Sequence, residues 1–141
     1  MMMNTTVRAK ARPPILLCES DADRIADLAV GVETRLPQVS AMLLKEIDRA
    51  RVVRDGALPA DVVGMGSLVR FRDENAGTER TVRLVYPHEA DIAAGKVSIL
   101  TPIGAGLIGL REGQSIRWED RDGHPKVLQV IAVGEELDSA A

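Results

Sequence analysis

Residues 100–113 read LTPIGAGLIGLREG, and the glycines at 104, 106 and 109 reproduce the G-x-G-x-x-G spacing of a dinucleotide-binding turn. That fingerprint works only where a buried strand ends in a tight turn and a long helix begins, so that the first helical amides face a pyrophosphate. Here Gly109 is followed by Gly113 and then by the strand-like run QSIRWED. A parallel crossover needs about a dozen residues, and there is no room for one. The preceding run KVSIL also carries Lys96 and Ser98, unlike the wholly apolar strands of a doubly wound sheet. The glycines therefore predict local structure. Thr101-Pro102 ends a strand, one short helical turn covers about 104–110, and Ile103, Leu107, Ile108 and Leu110 plug one end of a sheet. No cofactor is expected.

On both sides of this stretch the pattern is that of strands. SLVRFRD and ERTVRLVY alternate apolar and charged residues around the turn Asn75-Ala76-Gly77-Thr78, and KVSIL, QSIRWED and KVLQVIAV follow, with Asp122-Gly123 turning between the last two. About five antiparallel strands with one packed face predict a curved sheet over 58–134. Further upstream the period changes. After the short extended run Ile15–Cys18, the segment ESDADRIADLAVGVETRL places Ile25, Leu28, Val32 and Leu36 on one helical stripe, with Ser20 as N-cap and Asp21 and Asp23 in the first turn. Pro37 interrupts, and QVSAMLLKEIDRARV resumes the period with Val39, Leu43, Ile47 and Ala50. Two amphipathic helices joined by so few residues run antiparallel. They predict a short helical hairpin, a coiled coil over 15–54, with arms of about 25 Å at 1.5 Å per residue. The narrow stripes favour an arm that protrudes from the domain. The turn-rich RDGALPAD marks the boundary, while residues 1–14 and 135–141 read as flexible ends.

Composition limits what such a chain does. At 141 residues it fits one modest domain, or a small domain with a short appendage, and its only aromatics are Phe71, Tyr86 and Trp118. Base-stacking platforms therefore have almost no material. Net charge is −3, with the acid excess in the C-terminal part, so sequence-specific DNA binding is not expected. The basic first twelve residues lack the apolar core of a signal peptide, and no run approaches the roughly 18 apolar residues of a membrane span; a cytoplasmic location is expected. Cys18, the single cysteine, excludes an internal disulfide and reads as a half-buried structural thiol. His88-Glu89-x-Asp91 falls short of a zinc motif because position 92 is Ile, and its carboxylates are expected to bond nearby amides. His124 sits between Gly123 and Pro125, in a turn. No metal or catalytic residue is expected.

The runs GSLVRF, YPHEAD, GKVSILTPIGAGLIGL and GQSIRWEDRDGHPKVLQVIAV, in that order, resemble the C-terminal domain of the GreA/GreB transcript-cleavage factors, which is FKBP-like in topology. With KEIDRARVVRDGALPADVVGMGS upstream and the wording LVYPHEAD, the likeness points to one branch of that family, the regulators of nucleoside diphosphate kinase. The resemblance implies an α+β fold and RNA polymerase as partner. Gre factors dock their C-terminal domain on the rim of the polymerase secondary channel, and a long helical hairpin delivers two tip carboxylates to a catalytic metal. In this chain the docking loop maps onto Leu100, Thr101 and Pro102; Leu100 departs from the acidic residue usual there. The tip, VETRLPQVS, holds Glu33 without a second carboxylate and adds Arg35. The implied function is a non-enzymatic regulator that binds polymerase without stimulating cleavage. A cleavage factor and a free-standing interaction module are the alternatives. The FKBP-like topology also raises peptidyl-prolyl isomerase activity, but three scattered aromatics do not wall a proline pocket.

Overall fold

The computed structural model describes residues 14–119, 122–135 and 137, so the expected flexible ends lie largely outside the described residues. Strand β1 (Leu16–Cys18) leads into α1 (Glu19–Gly31), and α2 (Pro37–Arg49) returns to β2 (Arg51–Val53). β3 (Leu68–Asp73), β4 (Thr78–Val85), β5 (Lys96–Ser98), a short helix α3 (Pro102–Leu107), β6 (Ser115–Glu119) and β7 (Pro125–Val133) complete the chain. The five later strands form one sheet in the order β5-β4-β3-β7-β6, and β1 and β2 pair separately.

The apolar stripes pack as their spacing predicts. Ile25, Val32, Val39 and Leu43 are buried, and Leu28, Leu36, Ile47 and Ala50 pack partly buried against the core. Between the helices the Ser40 hydroxyl donates to the Ala29 carbonyl at 2.8 Å. Pro37 sits in the first turn of α2, where its missing N–H costs nothing. The start of α1 differs from expectation. Its N-cap is Cys18, which makes no side-chain cap, and Ser20 lies inside the helix with its amide donating to Asp55 Oδ1 at 3.0 Å. The cap thus arrives from the loop after β2, 35 residues away in sequence, which no local pattern announces. That bond to the Ser20 amide holds the Asp55 carboxyl below its ordinary pKa.

Three further expectations are corrected. Each helix has 13 residues, so each arm reaches about 20 Å rather than 25 Å. The second arm is shorter because Arg51–Val53 leaves the helix to pair in parallel with Leu16–Cys18, the Arg51 amide donating to Ile15 O at 3.0 Å. The hairpin also does not stand clear of the domain. α2 packs against α3, and Ile25, Ala29, Val39 and Leu43 belong to the same buried cluster as Phe71, Leu107 and Leu128. Finally, the sheet is mixed: β4 and β5 run parallel, because residues 86–95 form two helical turns that carry the chain back across the sheet end. The other pairings are antiparallel, with an irregularity between Arg70 and Phe71.

A polar clamp joins α1 to the sheet. The Tyr86 hydroxyl donates to Asp21 Oδ1 at 2.8 Å, and the Arg24 guanidinium lies 4.1 Å from the Tyr86 ring centroid. Burial, then the neighbouring Asp21 carboxylate, raises the Tyr86 pKa above the usual phenol range.

Candidate functional site

The turn Leu100–Pro102 is built by hydroxyl chemistry. Ser98 Oγ accepts from the Leu100 amide at 2.9 Å, and Thr101 Oγ1 donates to the Ser98 carbonyl at 2.7 Å. The same Thr101 oxygen accepts from the Gly104 amide at 3.0 Å, making Thr101 the N-cap of α3, with buried Pro102 next to it. Gly104 is obligatory for this packing. A Cβ there would run into the Ser98 carbonyl and come within 2.9 Å of Ile99 Cα. Gly109, at φ +81°, lies where a Cβ would approach Ile15 Cβ to 2.8 Å. Two glycines of the fingerprint are therefore seats for β5 and for the chain entering β1.

Beside this turn lies a groove of about 350 Å³. Thr101, Pro102, Ile103, Ile92 and Val97 line it, and Trp118 contributes from β6. Arg80 and Lys96 also border it. Ile92 is 86% exposed, an unusual position for a large aliphatic side chain. Among the described residues the buried indole Nε1–H of Trp118 has no hydrogen-bond acceptor, a state that ordinarily costs about 1–3 kcal/mol. Leu100 does not line the groove; it packs partly buried against the core. Glu33 and Arg35 are exposed in the connection between α1 and α2, on a different element from the Leu100–Pro102 turn.

Ile92, Val97, Ile103, Trp118, Arg80 and Lys96 were not singled out as a surface by the sequence. Only Ile92, an isolated aliphatic in the polar run HEADIAAGK, left a trace there. The carboxylates of that run serve the backbone, as expected. Glu89 Oε1 accepts from the Tyr86 amide at 3.4 Å and Asp91 Oδ1 from the Ala94 amide at 3.3 Å. His88 is exposed beside them. Cys18 is partly buried, and desolvation raises its thiol pKa. Among the described residues no helix is long and apolar enough to cross a membrane.

The five-stranded sheet with its short helix α3 falls within residues 58–135, which match the family of the transcription elongation factor GreA/GreB C-terminal domain. The Rnk N-terminus family matches residues 13–53. The chain is 35% identical to the regulator of nucleoside diphosphate kinase of Escherichia coli strain K12, over 92% of its own length and 96% of that protein's. It is 31% identical to the transcription elongation factor GreA of Rhodospirillum rubrum, over 91% and 86% of the two chains. Among solved structures, a prokaryotic GreA/GreB elongation factor from Nitrosomonas europaea superposes with a TM-score of 0.66 at 34% identity, covering 84% of this chain and 98% of that one. The chain therefore belongs to the GreA/GreB family, in the branch that joins an Rnk-type N-terminus to the Gre C-terminal domain and includes the regulators of nucleoside diphosphate kinase.

Proposed function

We propose that this protein is a non-catalytic transcription regulator that binds RNA polymerase near its secondary channel, competes there with Gre factors, and does not stimulate transcript cleavage. Through that binding it influences the supply of nucleoside diphosphate kinase. The observation that carries the reading is the hairpin: arms of 13 residues each, with Glu33 the one carboxylate of the connection at residues 32–36. Recruiting a second hard divalent ion requires several anionic oxygens at the ion's own depth. One carboxylate on a stub of about 20 Å, flanked by Arg35, is a poor donor set for it. The Leu100–Pro102 turn and the groove beside it supply the docking face, with Thr101 and Pro102 common to both.

Two measurements test this. Tagged protein should retain polymerase from a bacterial lysate, and an excess of a Gre factor should displace it. Purified protein added to stalled elongation complexes should release no short 3′ RNA fragments. Fragment release would restore the cleavage-factor reading, and capture of the kinase without polymerase would favour a free-standing interaction module.

A further inference from the structure

Arg70 alternates along β3 with the buried residues Val69 and Phe71, so its side chain emerges on the sheet face away from the core. It is paired in register with Thr81, while Arg83, two residues further along β4, is paired with Lys96 of β5. Residues paired in this way lie about 5 Å apart and diagonal neighbours about 7–8 Å apart. Three cations therefore line one cleft of about 250 Å³, together with Thr81 and Leu137. Like charges directly opposite one another destabilise a sheet. Placing Arg83 against Lys96 with Arg70 nearby is costly unless an anion sits among them.

One partner anion is already in place. Arg83 is held by a bond from Nη1 to the Gly66 carbonyl at 2.8 Å, and its fork accommodates the Glu135 carboxylate, Nη1 to Oε2 and Nη2 to Oε1 both at 2.8 Å. This is the planar bidentate geometry in which a guanidinium takes a carboxylate or a phosphate. Glu135 is 69% exposed, so water competes for it and its hold is weak. Among the described residues Arg70 and Lys96 have no ion pair, and no carboxylate is part of the cleft lining; Glu135 reaches Arg83 from beside it. The cleft is below the roughly 300–1,000 Å³ typical of sites for drug-sized ligands. Its size suits a single anionic group.

We propose that this cleft binds a phosphate or diphosphate group, with the Glu135 carboxylate as its intramolecular competitor. Arg83 presents the fork, Arg70 and Lys96 neutralise the remaining charge, and the Thr81 hydroxyl donates to an outer oxygen. The cleft lies on the sheet face opposite α3 and stands independently of polymerase docking. Lys96, at the sheet edge, is the one residue it shares with the groove.

The test is a titration of the full chain with inorganic phosphate and with pyrophosphate at low ionic strength, followed by amide chemical shifts. Saturable shifts centred on residues 70, 81, 83 and 96 are expected. Arg70→Gln should weaken binding by about tenfold, the value of one charge-assisted bond, whereas Arg70→Lys should recover part of it. Glu135→Ala should tighten binding several-fold, which a purely structural ion pair does not do. ADP binding more tightly than pyrophosphate would identify a nucleoside-borne group as the source, and equal binding the free anion. Absence of saturation by about 10 mM, an equal response to chloride at matched ionic strength, or failure of Glu135→Ala to tighten binding would each overturn the proposal. So would single-stranded RNA binding there while neither small anion does.

Discussion

Gly109 combines two constraints in one residue: a left-handed backbone at φ +81° and a 2.8 Å limit to Ile15 Cβ. Left-handed backbone costs a non-glycine residue about 1–2 kcal/mol, and overpacking adds about 1–3 kcal/mol. Gly109→Ala should therefore lower unfolding free energy by about 2–5 kcal/mol in urea melts. Gly123, at φ +80° with open space around it, is the control; Gly123→Ala should cost only about 1–2 kcal/mol. Tyr86 is the only tyrosine, so its phenolate absorbance is uncontaminated by another phenol. Its folded pKa is raised, so the folded protein keeps the proton that the unfolded chain loses near pH 10. Its contribution to stability is complete below pH 10 and declines as the pH rises above it. In a spectrophotometric titration, phenolate absorbance should appear above the free-tyrosine range and together with loss of helical circular dichroism. Ionisation at the ordinary phenol pKa with structure intact would show that the Asp21 clamp is absent in solution.

The helical pair is short and depends on the sheet domain for its burial. Isolated helices of 13 residues are marginal in water, and here Leu43 and Ile25, both fully buried, tie them into the common core. Leu43→Ala should cost about 2–5 kcal/mol and should lower the single unfolding transition of the whole chain. Two separate transitions after this substitution would mean that the hairpin folds apart from the sheet. Ser40→Ala removes the buried bond to Ala29 and should cost about 1 kcal/mol. At this scale the sequence was legible where one face of an element meets one environment. The stripe Ile25, Val32, Val39 and Leu43 and the β3–β4 hairpin followed from period and turn residues, whereas the helical turn expected over about 104–110 begins earlier, at Pro102–Leu107, because Thr101 caps it. The helix of residues 37–49 was read too long because Arg51–Val53 has no strand pattern of its own; its partner is Leu16–Cys18, fixed by tertiary pairing.

The proposed docking surface draws on β4, β5, β6, α3 and the connection at residues 86–95. Ile92 is the most exposed large aliphatic on it and supports no core. Ile92→Asp should therefore leave the melting temperature within about 2 °C of wild type, as surface substitutions do. It should nonetheless reduce retention of polymerase in the capture experiment at least several-fold. Unchanged retention would remove the groove from the docking surface and leave the Leu100–Pro102 turn alone.

By itself the sequence determined the periods: a helical pair followed by an alternating sheet, an insertion too short for a dinucleotide crossover, and a hairpin connection with a single acid. These follow from chain-local rules, since turn residues, side-chain alternation and helix rise depend on neighbours a few positions away. Tertiary structure alone decided what lies across space. It brought Asp55 to the amide of Ser20, set β5 parallel to β4, laid the hairpin against α3, and gathered Ile92, Ile103 and Trp118 into one groove. It also placed Arg70, Arg83 and Lys96 around one cleft on the other face of the sheet. Those contacts join residues far apart in the chain, and their partners are selected by burial of a shared core, which no window of neighbouring residues encodes.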